Sequence, residues 1–219
     1  MTFLELVNKV LLRLRESPVA TVQGSGNSNM YARLIGEFVN EAKAQVESAW
    51  DWSALRSTLS ATTSAGVFSY ELNSAKNSAK LLNVINDTSN FPMEYKDAIW
   101  FDDKFLNATP ETGVPQYYNF NGVSNDLDLI VDVYPIPDGV YNLRFNFTLR
   151  DSVLSADTDK LYVPSRPVIL MATAMAIEER GEDGGQQSIN AYAAARSALA
   201  DEIALDAARH PEDTIWYPV

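Results

Sequence analysis

Residues 125–150 read NDLDLIVDVYPIPDGVYNLRFNFTLR, and apolar and polar residues alternate on both sides of a turn rich in proline and glycine. The first half places two sets of side chains on opposite faces: Leu127, Leu129, Val131 and Val133 on one, and Asp126, Asp128 and Asp132 on the other. The second half does the same: Tyr141, Leu143, Phe145, Phe147 and Leu149 on one face, and Asn142, Arg144, Asn146, Thr148 and Arg150 on the other. This period of two predicts a hairpin of two half-buried antiparallel strands.

The segment before this hairpin also favours strands. Residues 66–72 alternate with a period of two, and residues 81–85 form a short apolar run between polar neighbours. Between these strands and the hairpin, residues 97–106 are predicted to form a short helix with Ala98, Phe101 and Phe105 turned inward. The middle of the chain is therefore expected to be rich in β-structure.

The beginning of the chain favours helices. Residues 2–5 read TFLE, which is a capping box, and an apolar stripe at helical spacing follows them. A second helix is expected to begin between Asn27 and Asn29, with a stripe that runs to Trp50. Trp52 lies off that stripe, and we expect it to pack at the start of the β-rich region.

The last third of the chain returns to helical sequence. Ser165 is expected to cap a helix whose residues 168–179 are apolar nearly all round, which predicts a central position. Ser188 is expected to open the final helix. Its predicted buried stripe consists of Ile189, Tyr192, Ala193, Leu199, Ala200, Ile203 and Ala207.

These elements predict an α+β fold in which both ends of the chain form a helical bundle and the middle is an inserted antiparallel β-rich region. The expected domains are residues 1–56 with 165–210 for the helices, 57–164 for the insertion, and 211–219 for an extended C-terminal tail.

The tail carries apolar side chains that a short segment cannot bury by itself. After Pro211 the sequence reads EDTIWYPV, and large apolar groups left in water forfeit roughly 1.5–3 kcal/mol each. The tail either folds back on its own domain or docks on another subunit. We expect docking on a neighbouring subunit or partner through Ile215, Trp216, Tyr217, Pro218 and Val219.

Composition excludes several classes of protein. The chain of 219 residues carries a net charge of −12 and has no cysteine, so neither a basic nucleic-acid stripe nor a thiolate site is expected. The acidic excess lies after residue 56 and would suit a surface past which DNA slides without sticking. The longest apolar run is ten residues, about half of a membrane span. No secretory signal order is present, and we expect a soluble protein compatible with a reducing cytoplasm.

Catalytic and metal-binding candidates are few. His210 is the one histidine, and its place at the end of a helix favours a capping role. Asp126, Asp128 and Asp132 could meet Asp102 and Asp103 and hold a hard cation, but the spacing is not that of a calcium loop. Arg144 and Arg150 on the neighbouring strand offer counter-charges instead. The prediction is no catalytic residues, no cofactor and no metal.

The order of several motifs resembles the head-to-tail adaptor proteins of short-tailed bacteriophages, a family that includes the tail tubular protein A type. The motifs are Trp50-Asp51-Trp52 after a long helix, residues 113–118 (GVPQYY), the turn at 134–139 (YPIPDG), residues 161–164 (LYVP) entering a helix, and its end at 178–181 (EERG). Their order covers nearly the whole chain.

The resemblance implies a structural virion protein without catalytic residues. It would form a twelve-subunit ring in the neck that joins the portal to the tail nozzle, with duplex DNA passing through the lumen without sequence-specific binding. Assembly in the bacterial host cytoplasm and no contact with a membrane are implied.

Two other readings of the residues stay open. One is a tail-associated carbohydrate- or protein-binding module that exposes Tyr117, Tyr118 and Phe120. The other is a hydrolase that uses the acidic strand face.

Overall fold

The computed structural model describes residues 1–24, 27–76, 79–107, 109–181 and 185–209. It shows an α+β chain, as predicted, divided into two compact units. The helical unit consists of residues 1–55 and the described residues from 151 onward, and the β unit consists of residues 56–150.

The helices are α1 (Phe3–Arg13), α2 (Asn27–Ala49), α3 (Ala98–Asp102), α4 (Ser165–Arg180) and α5 (Gln186–Ala207). The longer strands are β1 (Arg56–Thr62), β2 (Ser69–Lys76), β3 (Lys80–Asn86), β7 (Tyr117–Val123), β8 (Asp128–Tyr134) and β10 (Asn142–Thr148). The two-residue strands are β4 (Phe91–Pro92), β5 (Glu94–Tyr95), β6 (Thr112–Gly113) and β9 (Ile136–Pro137).

Helix α1 begins at the predicted capping box. The Glu5 amide donates to the Thr2 hydroxyl at 3.3 Å, and the Thr2 amide donates to the Glu5 carboxylate at 2.9 Å. The predicted stripe of α1 is buried against α2 and α4, and Leu6, Val7 and Val10 are completely inaccessible to solvent. The capping hydrogen bonds and the buried apolar stripe are therefore both consistent with a helix that begins at Phe3.

Helix α4 occupies the centre of the helical unit, where it packs against α1, α2 and α5. Its side chains from Pro167 to Ala176 are buried apart from Leu170, which fits its lack of a polar face. The prediction that Ser165 caps this helix is wrong. The N-cap is Pro164, no side chain caps the first turn, and Ser165 already lies inside the helix.

The predicted buried stripe of α5 is wrong in part. Ile189, Ala193 and Ala200 are exposed, whereas Ser188, Ala195, Ala198 and Asp206 are buried. Helix α5 also begins two residues before Ser188, whose hydroxyl donates to the carbonyl of Gly185 at 2.7 Å. The buried positions carry small side chains because α5 packs closely along α4, and close helix packing favours small residues over large apolar ones.

Residues 151–154 are fastened to α2 by buried polar groups. The ammonium group of Lys43 donates to the carbonyls of Asp151 and Ser152 at 3.0 and 2.9 Å, and it lies 3.0 Å from the Glu47 carboxylate. The Asn40 amide exchanges two hydrogen bonds with the backbone of Leu154. Leu154, Leu161 and Val163 then join the core of the helical unit, although residues 57–164 were expected to form the insertion.

Trp52 also belongs to the helical unit. Its side chain is buried in the same core, and its indole donates to the carbonyl of Val46 at 2.7 Å. The expectation that Trp52 packs at the start of the β-rich region is therefore wrong. The chain turns back after α2, which brings this residue inward.

The described residues of the β unit form two four-stranded sheets and one small two-stranded sheet. The first sheet has the order β1-β10-β3-β4, and the second has the order β2-β8-β7-β5. All of their strand pairs are antiparallel except β5 with β7, which is parallel. The small sheet pairs β6 with β9 in parallel.

The predicted hairpin of residues 125–150 is wrong in its pairing. Strand β10 shows the expected alternation as far as Phe147, whereas β8 does not, because Asp128 and Asp132 are buried as well. The two strands also belong to different sheets. Val131 and Val133 from β8 share one core with Phe145 and Phe147 from β10. The connecting residues include β9, which pairs with β6 and does not close a tight turn. Alternation thus identified the buried faces, which meet between two sheets.

The short helix between the strands differs from its predicted form. The carboxylate of Asp97 caps α3 by accepting from the amide of Trp100 at 2.9 Å, and one turn of π-helix follows at Asp103–Asn107. Phe101 is buried as expected, but Ala98 is exposed. Trp100 packs among neighbouring aromatic rings instead.

No helix within the described ranges combines the length and the apolar character that crossing a membrane requires.

Candidate docking site

The residues predicted to dock on a partner, Ile215, Trp216, Tyr217, Pro218 and Val219, lie outside the described residues, as does His210. The described chain nearest to them in sequence is the last turn of α5. That turn and the exposed apolar side chains of each unit are the described features that could contribute to a docking site.

A buried carboxylate fixes the last turn of α5. The Asp206 carboxylate accepts hydrogen bonds from the Trp50 indole at 3.1 Å, from the Ser53 amide at 3.1 Å and from the Ser53 hydroxyl at 2.6 Å. Arg209 lies 3.2 Å from the same group. Burial raises the pKa of Asp206, but the hydrogen bonds from Ser53 and Trp50 and the charge of Arg209 outweigh it and hold that pKa below its ordinary value. The carboxylate is therefore ionised and holds α5 to the segment after α2.

A groove of about 300 Å³ lies beside this turn in the helical unit. Its walls include the exposed side chains of Tyr162 and Leu205 together with Trp52. Its other walls are mostly polar or charged, and they include Arg166, Glu202, Asp206 and Arg209. The periodicity of the sequence gave no sign of this groove, because residues from three separate segments form it.

Helix α5 also presents apolar side chains on its outer face. Ile189 is 62% exposed and Leu205 is 58% exposed. The inner face of this helix carries the buried alanines 195 and 198 together with Tyr192, Leu199 and Ile203, which pack against the core. Ile189 and Leu205 lie near opposite ends of the helix and do not form one apolar patch.

The β unit exposes a second apolar region around α3. Trp100, Phe101 and Phe105 pack with Tyr134, with ring centroids 5.4–6.5 Å apart. Ile99 and Leu106 are 78% and 79% exposed. The helix is thus anchored by aromatic rings while it presents two apolar side chains to the outside.

Both large sheets end in an open strand, and these two strands lie near each other. Strand β1 is the edge of the first sheet and β2 is the edge of the second. A gap of about 250 Å³ separates them, lined by Leu59, Ser60, Ala61, Thr62, Tyr70, Glu71, Leu72 and Asn73. Within the described residues neither strand pairs with another on its open side, so backbone N–H and C=O groups there have no strand partner.

The acidic strand face differs from its predicted form. Asp128 and Asp132 are buried rather than solvated, and Asp132 accepts from the side-chain amide of Asn121 at 2.8 Å. The other oxygen of Asp132 has no hydrogen-bond partner among the described residues. Arg144 lies in the other sheet and pairs with Asp87 at 3.0 Å, so the expectation that it balances the aspartates of β8 is wrong.

Metal-binding and sugar-binding arrangements receive no support from the geometry. Among the described residues, no three carboxylate or imidazole side chains lie together in a way that could hold a metal ion. Tyr118 is buried in the core of the β unit, and its burial raises the pKa of its hydroxyl group. Tyr117 contacts Trp100 and is half-buried. Phe120 is half-buried as well, so none of the three aromatic residues expected to be exposed is fully exposed.

Comparison with known proteins places the whole chain in one family. The model of the SU10 adaptor protein family matches residues 1–215, which cover both units. No curated protein sequence matches the chain. A match of this extent agrees with the resemblance to bacteriophage head-to-tail adaptors. The chain thus belongs to the SU10 adaptor protein family and is a structural adaptor protein of a bacteriophage.

Proposed function

We propose that this adaptor forms a ring in the neck of the virion, between the portal and the tail nozzle, through which the genome passes. The observation that carries the proposal is the family match over residues 1–215. Twelve copies are the number implied by the resemblance to tail tubular proteins. The helices from both ends of the chain would act as the bundle that supports the ring.

A closed ring needs two different contact patches on every subunit. The structure offers exposed apolar side chains that suit this requirement. Ile99 and Leu106 lie on the exposed side of α3, and Ile189 and Leu205 lie near opposite ends of α5. Large apolar side chains on a surface mark interaction sites when they are grouped.

The C-terminal residues are the third proposed contact. Ile215, Trp216 and Tyr217 would be buried against a neighbouring subunit or the portal, with Pro218 and Val219 beside them. Aromatic anchors commonly dominate an interface.

The acidic surplus supports passage of DNA without binding. With a net charge of −12, the chain has no excess of basic groups with which to hold phosphates. Full-length protein should show no retention of duplex DNA at low salt in a gel-shift measurement. Replacing exposed acids of one ring face with lysine should create retention and slow genome ejection only if that face lines the lumen.

The decisive experiment measures assembly by light scattering, with and without portal protein. The full-length chain should form a ring or join the portal. A chain truncated after Pro211 should keep its melting temperature and assemble at least about thirtyfold more weakly, the loss expected for a dominant aromatic anchor. Unchanged assembly together with a fall in the stability of the isolated chain would show that the tail belongs to its own core.

A full-length control separates the two effects. Glu212→Ala/Asp213→Ala keeps the apolar residues of the tail and should assemble as the unchanged chain does. A chain that never self-associates and never binds portal would refute the ring.

A further inference from the structure

We propose that neighbouring copies in the ring meet through two helix faces of opposite charge, the outer face of α1 on one copy and the outer face of α3 on the next. The proposal rests on the ring given above and names the surfaces that form its contact. The occupant of each face is a second copy of this chain. Each face consists of described residues of a single unit.

The outer face of α3 carries apolar and acidic side chains. Its four exposed residues lie on α3 and on the π-helical turn after it, and they are Ile99, Asp102, Asp103 and Leu106. Residues three or four positions apart are neighbours on a helix surface. Ile99 and Leu106 are the two most exposed large apolar side chains among the described residues. The face is therefore apolar at both ends and acidic in the middle.

The inner side of α3 holds this face in place. Trp100 and Phe101 pack against Tyr134, with ring centroids 5.4 and 6.5 Å apart. The Asp102 carboxylate forms no ion pair with a described residue. The neighbouring Lys104 is half-buried, with its ammonium group 5.6 Å from the centre of the Trp100 ring. The face is thus preformed and exposes negative charge.

The outer face of α1 carries an apolar side chain between two bases. Lys9, Leu12 and Arg13 lie at positions i, i+3 and i+4 of the helix, and all three are exposed. Leu12 is 60% exposed. Neither Lys9 nor Arg13 forms an ion pair with a described carboxylate. This face therefore offers positive charge around an apolar centre.

The acidic side chains closest in sequence to the α1 face have partners of their own. The Glu5 carboxylate accepts a hydrogen bond from the Thr2 amide at 2.9 Å, and Glu16 pairs with Arg180 at 2.7 Å. Arg15, just after the helix, is exposed as well. The end of α1 is thus a basic surface on a chain whose net charge is −12.

The two faces complement each other, and neither complements itself. Placing α1 against α3 brings bases beside carboxylates and apolar side chains together, whereas two α1 faces or two α3 faces would bring like charges together. A closed ring needs two different patches that fit each other on every subunit. A second copy of this chain supplies both of them. Duplex DNA does not suit the α3 face, because phosphates and carboxylates repel each other.

Charge-reversal variants test the inference. Arg13→Glu and Asp102→Lys are prepared as full-length proteins, and their assembly is measured by light scattering with and without portal protein. Each variant alone places like charges at every contact, so it should assemble at least about tenfold more weakly than the unchanged chain at low salt. The loss should shrink at high salt, which screens exposed charges.

An equimolar mixture of the two variants gives the sharpest measurement. In a ring where they alternate, the new glutamate faces the new lysine at one contact, and the unchanged Arg13 and Asp102 face each other at the next. The mixture should therefore recover most of the lost assembly. Arg196→Glu, the same change at an exposed position of α5, is the matched control. It should assemble normally by itself and should not rescue Asp102→Lys.

The apolar part of the contact is tested separately. Leu106→Ala should weaken assembly and leave the melting temperature unchanged, because the side chain is exposed in the single chain. Val140→Ala, at another exposed position of the β unit, should change neither. If Arg13→Glu lowers the melting temperature, Lys9→Glu takes its place in the mixture, since Lys9 lies on the same face.

Other outcomes would overturn the inference. Single variants that assemble as the unchanged chain does would reject the contact. A mixture that is not rescued, although both variants keep their melting temperatures, would reject the pairing of α1 with α3, and rescue that stops at dimers would reject a ring contact. Variants that form rings but no longer join the portal would assign these faces to the portal. An unchanged chain that neither self-associates nor joins the portal would instead refute the ring itself.

Discussion

The helical unit and the β unit treat their buried polar groups and their edges differently. In the helical unit, the buried groups of Lys43 and Asp206 are bonded to backbone or side-chain partners. In the β unit, a buried oxygen of Asp132 has no partner among the described residues, and two sheets end in open strands. The difference indicates that these buried polar groups of the helical unit are satisfied within the chain, whereas the β unit keeps strand edges that another chain can pair with.

The largest expected effect is the loss of a core aromatic ring from the β unit. Phe145→Ala should destabilise this unit by about 3–5 kcal/mol, because the side chain is completely buried between two sheets. Urea unfolding monitored at Trp100, which lies in the β unit, should shift more than unfolding monitored at Trp52 in the helical unit. Val140→Ala, at a well-exposed position, is the control. Equal shifts at both tryptophans would mean that the units unfold together.

Breaking the buried ion pair of the helical unit should cost nearly as much. Lys43→Met removes the donor to two carbonyls and leaves the Glu47 carboxylate buried beside an apolar side chain, which typically costs about 3–5 kcal/mol. The double variant Lys43→Met/Glu47→Leu should recover part of that loss, since no buried charge remains. Calorimetric melting of the three proteins measures both effects. A double variant no more stable than the single one would contradict this explanation.

Asp206→Asn should have a smaller effect that depends on pH. Near neutral pH it should cost about 1.5–3 kcal/mol, because hydrogen bonds to a charged acceptor are lost. The pKa of Asp206 is lowered in the folded protein, so its stabilisation is present above the ordinary value of 3.8 and is lost as the pH falls through the folded pKa. The difference in melting temperature between the two proteins should therefore shrink below about pH 3.8. A constant difference across that range would contradict the assignment.

The smallest expected effect on stability comes from replacing aspartate with asparagine in the β unit, at Asp132. Asp132→Asn removes a buried charge whose second oxygen has no partner among the described residues, so the change should stay within about 1 kcal/mol and could increase stability. Chemical unfolding next to Asp206→Asn tests this contrast directly. A loss as large as that of Asp206→Asn would show that Asp132 is as well supported as Asp206, and the comparison between the units would fail.

The sequence predicted individual elements better than their partners. The capping box of Thr2 and Glu5 and the stripe of α1 were correct because both depend on residues that are close in sequence. The alternation in β8 and β10 identified Val131, Val133, Phe145 and Phe147 as buried, but their pairing was wrong. A period of two records which face is covered and carries no information about which strand or sheet covers it.

Predicting burial from side-chain size and polarity gave wrong results in α5 and in β8. In α5 the large residue Ile189 was expected inside, yet the close approach to α4 selects the alanines at 195 and 198. On β8 the aspartates were expected in solvent, yet both are buried. Packing between distant segments decides these cases. It also forms the groove beside Arg209 and the gap between β1 and β2, which no local pattern could indicate.

The pairing of β1 with β10 has a consequence for how this protein folds and how it diverges. Arg56, the first residue of the β unit, lies opposite Thr148, two residues before its end. The residues at which the chain enters and leaves the β unit are therefore neighbours, although more than ninety residues separate them in sequence. Pairing of such distant residues is slow to form, so the β unit should close late in folding. The same closeness allows recombination to replace residues 56–150 as one cassette without moving the ends to which it is joined.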